Sequence, residues 1–179
     1  KILDTNGLHD VDIEMVRGHL SDHYDPRRKV VRLSQDIYYG TSITSISVAA
    51  HECGHAMQHA RGYAPLSIRS SLVPVVNFAS NISWLLIALG LFMSRGIFLK
   101  IGIILFSASV LFQLVTLPVE FNASSRALVQ LDDLGIVEGK ELRGSKQVLT
   151  AAALTYVAAA LTSVLQLLRL VAIAQRNDD

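Results

Sequence analysis

Apolar residues run almost unbroken through most of this chain from residue 73 onward, whereas residues 1–72 mix short apolar stretches with polar turns. The first long run, Val73 to Met93, is interrupted only by Asn77, Ser80, Asn81 and Ser83. A helix of about 20 apolar residues crosses the hydrocarbon core of a bilayer, so this run predicts a transmembrane helix. Ser94-Arg95-Gly96 reads as a tight turn, and a second span follows from Ile97 to Val119, with Lys100 near enough to its start to snorkel to the interface. The two form a transmembrane hairpin in which Asn77, Asn81 and Gln113 are assigned to packing rather than chemistry. A third, alanine-rich run from Leu149 to Ala174 holds Thr155, Ser163 and Gln166, with Arg169 near its far end. It fits a third span, or a buried helix of a soluble core.

Before the spans, Asp25-Pro26-Arg27 has turn chemistry between Ile13 to Tyr24 and Lys29 to Ser34, which predicts a small β-hairpin. Ser45 to Ala60 keeps helical spacing, with Gly62 as its stop. Asp132 to Ser145, punctuated by Gly135, Gly139 and Gly144, reads as a polar connection. The expected fold is therefore mainly α: one membrane-embedded helical domain over residues 1–179, with a small N-terminal β-hairpin and about three transmembrane helices. Its parts are a hairpin and helix (1–72), the transmembrane hairpin (73–119), a helix and connection (120–148) and a third transmembrane helix (149–174).

Composition supports membrane residence. The chain is 51% hydrophobic with formal net charge +1, and its mean hydropathy of +0.40 is too apolar for a typical soluble domain of this length. Arg61, Arg69, Arg126, Lys140, Arg143 and Lys146 flank one side of the spans, against Arg95 and Lys100 on the other. The positive-inside rule then places the first side in the cytoplasm. The basic residues are otherwise balanced by Asp132, Asp133, Glu138 and Glu141 and form no stripe, so no nucleic-acid partner is expected. A single cysteine, Cys53, excludes an intrachain disulfide and fits a reducing compartment. The start at Lys1, without a methionine or a signal-type hydrophobic region, reads as that of a fragment whose missing beginning has room for another membrane segment.

Candidate chemistry is concentrated in His51-Glu52-Cys53-Gly54-His55. Residues four apart share a helical face, so His51 and His55 are placed to bind one ion, with Glu52 beside them. Zinc accepts imidazole nitrogens, and a catalytic site keeps one position open for a water whose pKa falls to roughly 7. Small Ala49, Ala50, Gly54 and Ala56 allow another segment to approach closely. Cys53 points away from the ligand face and reads as a buried filler. His59, two turns from His51, is too far along the axis to share the ion and reads as support for the ligands. A metzincin would need glycine at Gln58 and histidine at Arg61, which excludes that arrangement. Glu120, where the second span ends, is the candidate third ligand; its plainer reading is a charge marking the membrane boundary. His51, His55 and Glu120 would make a two-histidine, one-glutamate zinc site with Glu52 as general base. Arg143, Tyr156 and His59 are candidate donors to the oxyanion; His19 and His23 read as surface histidines. The expected activity is peptide-bond hydrolysis, with protein or peptide substrates and the lipid bilayer as partners. The alternative is an inactive membrane scaffold or adaptor retaining a zinc site, against which the intact Glu52 argues.

At these residues the chain resembles the neutral zinc metallopeptidases of the YugP type, membrane proteases of bacteria with relatives in plastid-bearing lineages. The resemblance is carried by Ser21 to Arg27, Val30 to Ser34, Val48 to Ala56, Leu117 to Ser124 and Ala151 to Ala159. More distantly it is similar to the HtpX and CAAX prenyl proteases, whose glutamate ligand opens a Glu-x-x-Ala-Asp segment. That match implies Glu120 as ligand, but Ser124 replaces the aspartate, leaving Asn122 or Ser124 to orient a ligand. The resemblance further implies a zincin-like fold and endopeptidase activity in a bacterial inner or cell membrane, or a plastid membrane. By likeness to thermolysin-type folds, it also makes Lys29 to Ser34 the strand that binds the substrate main chain.

Overall fold

The computed structural model describes residues 1–93 and 96–176. The turn expected at Ser94-Arg95-Gly96 therefore falls largely outside the described residues. In chain order the elements are helix α1 (Ile2–Thr5), strands β1 (Asp12–Val16), β2 (His23–Asp25) and β3 (Val30–Ser34), a short helix α2 (Gln35–Tyr38), helix α3 (Ile43–Ala60), and three long helices, α4 (Ala64–Phe92), α5 (Gly96–Asp133) and α6 (Gly139–Arg176). They form two compact units. One comprises Lys1–Leu66 and Val119–Leu154; the other comprises Ser67–Pro118 and the chain from Thr155 onward.

In the first unit, the stretch Ile13 to Tyr24 is not one arm of a hairpin but is divided between β1 and β2, and β2 alone pairs antiparallel with β3, Tyr24 opposite Val31. Asp25 closes the turn between β2 and β3 by accepting from the main-chain N–H groups of Arg27 (2.9 Å) and Arg28 (3.3 Å), the Asx chemistry that makes aspartate a turn residue. The sheet has a third strand, because β1 pairs in parallel with β3, Ile13 opposite Val31. Strand order is β1-β3-β2. This corrects the expectation for Lys29 to Ser34: β3 is paired on both sides and offers no open edge to a peptide. Its residues Val30, Val31, Leu33 and Ser34 are all buried, which explains the near-continuous apolar pattern of a central strand.

Helix α3 starts at Ser42, whose hydroxyl accepts from the N–H of Ser45 at 3.1 Å, an N-cap that satisfies one of the orphan donors of a helix start. It stops at Gly62 as expected. With φ +60°, Gly62 turns the chain so that its own N–H and that of Tyr63 close onto the carbonyls of His59 and Gln58, a Schellman end that favours glycine. Gly135 ends α5 identically, with φ +55° and bonds from Gly135 and Ile136 to Asp132 and Leu131.

Most of Asp132 to Ser145 is helix rather than a polar connection, since only residues 134–138 separate α5 from α6. Polarity in this stretch marks a helix half wetted by water. The stretch's apolar positions Leu134, Ile136, Val137 and Leu142 pack into the first unit's core with Val31, Met57 and Leu131.

The second unit holds most of the apolar length of α4 to α6. All three helices are long and apolar enough to cross a membrane. Trp84, Phe78, Ile104 and Leu161 are more than half exposed on them, a pattern that suits lipid as solvent. Here α4 and α5 pack closely: a Cβ on Gly90 would stand 2.5 Å from the main-chain nitrogen of Leu99. The polar pair that meets between them is Ser80 and Ser109, Oγ to Oγ 2.7 Å, whereas Asn77 and Asn81 are exposed.

Candidate metal centre

Helix α3 and the Val119–Asp133 end of α5 build this site inside the first unit. They approach until Gly54 lies against the main chain of Ala123, where an added Cβ would be 2.5 Å from the carbonyl oxygen. Only glycine permits that approach. It brings His51 and His55, one turn apart on α3, over Glu120 of α5. Glu120 is 2% exposed, and its Oε2 lies 3.1 Å from His51 Nε2 and 3.6 Å from His55 Nε2. The two imidazole rings stand nearly perpendicular with centroids 4.7 Å apart. One donor atom from each of the three residues falls within 4.8 Å of the others.

The donor set fits zinc. Ligands at about 2.0–2.1 Å from a tetrahedral ion stand about 3.3–3.4 Å apart, and the two separations from Glu120 bracket that distance. Among the described residues the group has three side chains, and a tetrahedral ion held by three would keep a fourth position for water, as in catalytic rather than structural sites.

Each histidine is also held from behind. His51 Nδ1 is 3.1 Å from the Ser124 hydroxyl. His55 Nδ1 is 3.0 Å from Gln58 Oε1, while Gln58 Nε2 donates to the Val119 carbonyl (2.8 Å) and to Asn122 Oδ1 (3.0 Å). Sequence reasoning missed Gln58. Its signal was its position, three residues past His55 and seven past His51, on the ligand face.

Glu52 is buried at 7% exposure. Burial pushes its carboxyl above the ordinary range, against the pull of His55 and His51, and the nearby Glu120 and Asp22 charges add to the rise. For His55, burial works toward the neutral ring, but Glu120 and Glu52 outweigh it and the net shift is upward.

His59 does not support the ligands. It is exposed, and its Nδ1 meets the Tyr24 hydroxyl of β2 at 2.9 Å. Arg143, also exposed, lines a surface hollow with Lys146, Gln147 and Thr150. Tyr156 lies on α6 in the second unit. His19 and His23 are surface residues, His19 paired with Asp36 at 3.1 Å. Cys53 is buried on α3, where with Ile46, Ala50, Leu33 and Leu131 it lines a cavity of about 400 Å³.

Residues 1–175 match the family described as "Putative neutral zinc metallopeptidase". The chain belongs to this family. It is 57% identical over all its 179 residues to the protein named "Putative membrane protease YugP" of Bacillus subtilis (strain 168), covering 80% of that protein. No solved structure matches the chain. Among the neutral zinc metallopeptidases, then, this chain carries a His-His-Glu cluster able to hold a metal ion and three helices able to cross a membrane.

Proposed function

We propose that this protein is an integral membrane endopeptidase that holds one zinc ion on His51, His55 and Glu120 and uses Glu52 as general base. The observation that carries the reading is the convergence of His51 Nε2 and His55 Nε2 on the buried Glu120 Oε2, with buried Glu52 next to His51 on the same helix.

Bound zinc would supply a Lewis acid for the scissile carbonyl and lower the pKa of a water molecule to roughly 7. Glu52, destabilised as an anion by burial, accepts the proton of the attacking water and returns it to the leaving amine. Ser124 and Gln58 hold the imidazoles in place. Low exposure of Glu120 and Glu52 restricts bulk water around the reacting groups, so each electrostatic contact counts for more there than in solvent.

The strand that takes the substrate main chain is β2. It is an edge of the sheet, its Tyr24 touches α3 through His59, and the charge of neighbouring Asp22 acts on Glu52. A peptide laid along that edge gains main-chain hydrogen bonds whatever its side chains. The site faces the cytoplasm, a reading supported by the basic residues flanking α4 and α5 on the first unit's side.

The test is metal content and chelator-sensitive casein cleavage by detergent-purified protein, with Glu52→Gln and Glu120→Ala. Glu52→Gln should keep one zinc and lose about 10²–10⁴-fold in turnover; Glu120→Ala should lose both. Wild-type protein that neither binds zinc nor cleaves would favour the scaffold reading, and equal zinc in wild type and Glu120→Ala would remove Glu120 from the ligand set.

A further inference from the structure

We infer that Gln58 is a positioning residue that fixes which nitrogen of His55 faces the metal. The inference rests on the zinc site proposed above and adds to it a residue with no ligand role of its own. Gln58 is completely buried, and a buried primary amide must satisfy its acceptor and both its donors or lose stability. All three are satisfied. One end of the amide lies 2.8 Å from the main-chain oxygen of Val119 and 3.0 Å from Asn122 Oδ1; the other lies 3.0 Å from His55 Nδ1.

The orientation of this amide follows from Val119. A main-chain carbonyl oxygen can only accept, so the Gln58 atom facing it must be the NH2. Turning the amide over would set two acceptors 2.8 Å apart. Asn122 agrees, because its Oδ1 also accepts from Arg126 Nε at 2.7 Å and is thereby identified as oxygen. Gln58 therefore presents Oε1 to His55, and since Oε1 has no proton, His55 Nδ1 must carry one and donate it. In the neutral ring that a metal requires, the lone pair then belongs to the remaining nitrogen, Nε2. It is the nitrogen that lies 3.6 Å from Glu120 Oε2.

His51 lacks this control. Its Nδ1 meets the Ser124 hydroxyl at 3.1 Å, and a hydroxyl donates or accepts equally well, so Ser124 tolerates both the metal-free ring, whose Nε2 faces the acceptor Glu120 Oε2 at 3.1 Å, and the metal-bound ring with its proton on Nδ1. The two ligands differ in kind: His55 is set before the ion arrives, and His51 adapts. Gln58 also ties this setting to the helix that carries the third ligand, since its donors grip α5 at Val119 and Asn122, on either side of Glu120.

The experiment compares Gln58→Met, which keeps volume but has no amide, with Ser124→Ala, using zinc affinity by chelator competition and nitrogen-15 NMR of histidine-labelled, zinc-loaded protein. Wild type should show His55 with a protonated Nδ1 that exchanges slowly with water and a metal-bound Nε2. Gln58→Met should bind zinc about 10–100-fold more weakly, the range for loss of a group that orients a metal-bound histidine, with faster exchange of the Nδ1 proton and unchanged circular dichroism. Ser124→Ala should lose less than Gln58→Met.

Zinc bound through Nδ1 of His55 in wild type, or Gln58→Met affinity within twofold of wild type, would overturn the inference. If Gln58→Met does not fold, the wild-type spectrum decides alone. Neither readout needs substrate, so a protein with the expected tautomer and affinity but no casein cleavage would uphold Gln58 and remove the peptidase reading.

Discussion

Cys53 sits between the two zinc-binding candidates in sequence, yet its surroundings make it inert. Burial pushes its thiol up to about 12, with the Glu52 charge adding to the rise. A raised thiol pKa leaves only a minute fraction of nucleophilic thiolate at neutral pH in the folded chain. Maleimide at pH 7–8 should therefore leave the native protein unlabelled and label it fully once it is unfolded; rapid labelling of native protein would contradict the buried placement. Asp25 shows the opposite shift. Burial alone would raise its carboxyl, but the N–H groups of Arg28 and Arg27 and the Arg32 guanidinium, 2.9 Å away, outweigh it and hold it below the ordinary range. A depressed folded-state pKa contributes stability above the unfolded value of about 3.9 that is lost as pH falls through the folded value. Asp25→Asn should accordingly lower stability at pH 7 and flatten its acid dependence below about pH 4, measured by denaturation of the detergent-solubilised protein across pH.

Among the elements, α3 and α5 depend on one missing side chain. Gly54→Ala would gain up to about 1 kcal/mol of helix propensity. The new Cβ, however, would stand 2.5 Å from a main-chain oxygen of Ala123, which cannot rotate away as a side chain would. Overpacking of this kind costs about 1–3 kcal/mol, so the net effect should be destabilising, and zinc affinity should fall because α3 must move off Glu120. Chelator competition on Gly54→Ala checks this, and affinity equal to wild type would show that the helices tolerate separation. The elements also explain what sequence patterns obscured. β3 was legible as a strand but not as the central one, because its second partner, β1, lies across a parallel pairing that no turn signal announces. Asp132 to Ser145 read as a connection because its charges and glycines outnumber the few apolar residues that hold it in the first unit's core.

For the whole molecule, the three long helices mean that alkaline carbonate should leave the chain in the membrane fraction, while release into the supernatant would count against all three as spans. Orientation is open to the same kind of test. Because Cys53 is buried, a cysteine introduced at exposed Lys29 would be the one reactive thiol among the described residues, and an impermeant maleimide should reach it in inside-out but not right-side-out vesicles.

The sequence alone determined the cluster on α3 and the apolar spans: His51, Glu52 and His55 are neighbours on one helix, so their juxtaposition needs only helical geometry, and apolar runs long enough to cross a bilayer are legible whatever their packing. Glu120 was within reach of the sequence only as a candidate, since it stands 69 positions after His51 and 65 after His55, and Gln58 was out of reach. Tertiary structure brings both of them to the histidines, because a contact between distant segments depends on how closely two helix backbones approach. Here Gly54 against Ala123 sets that distance, and with it which side chains share a buried space and must satisfy one another.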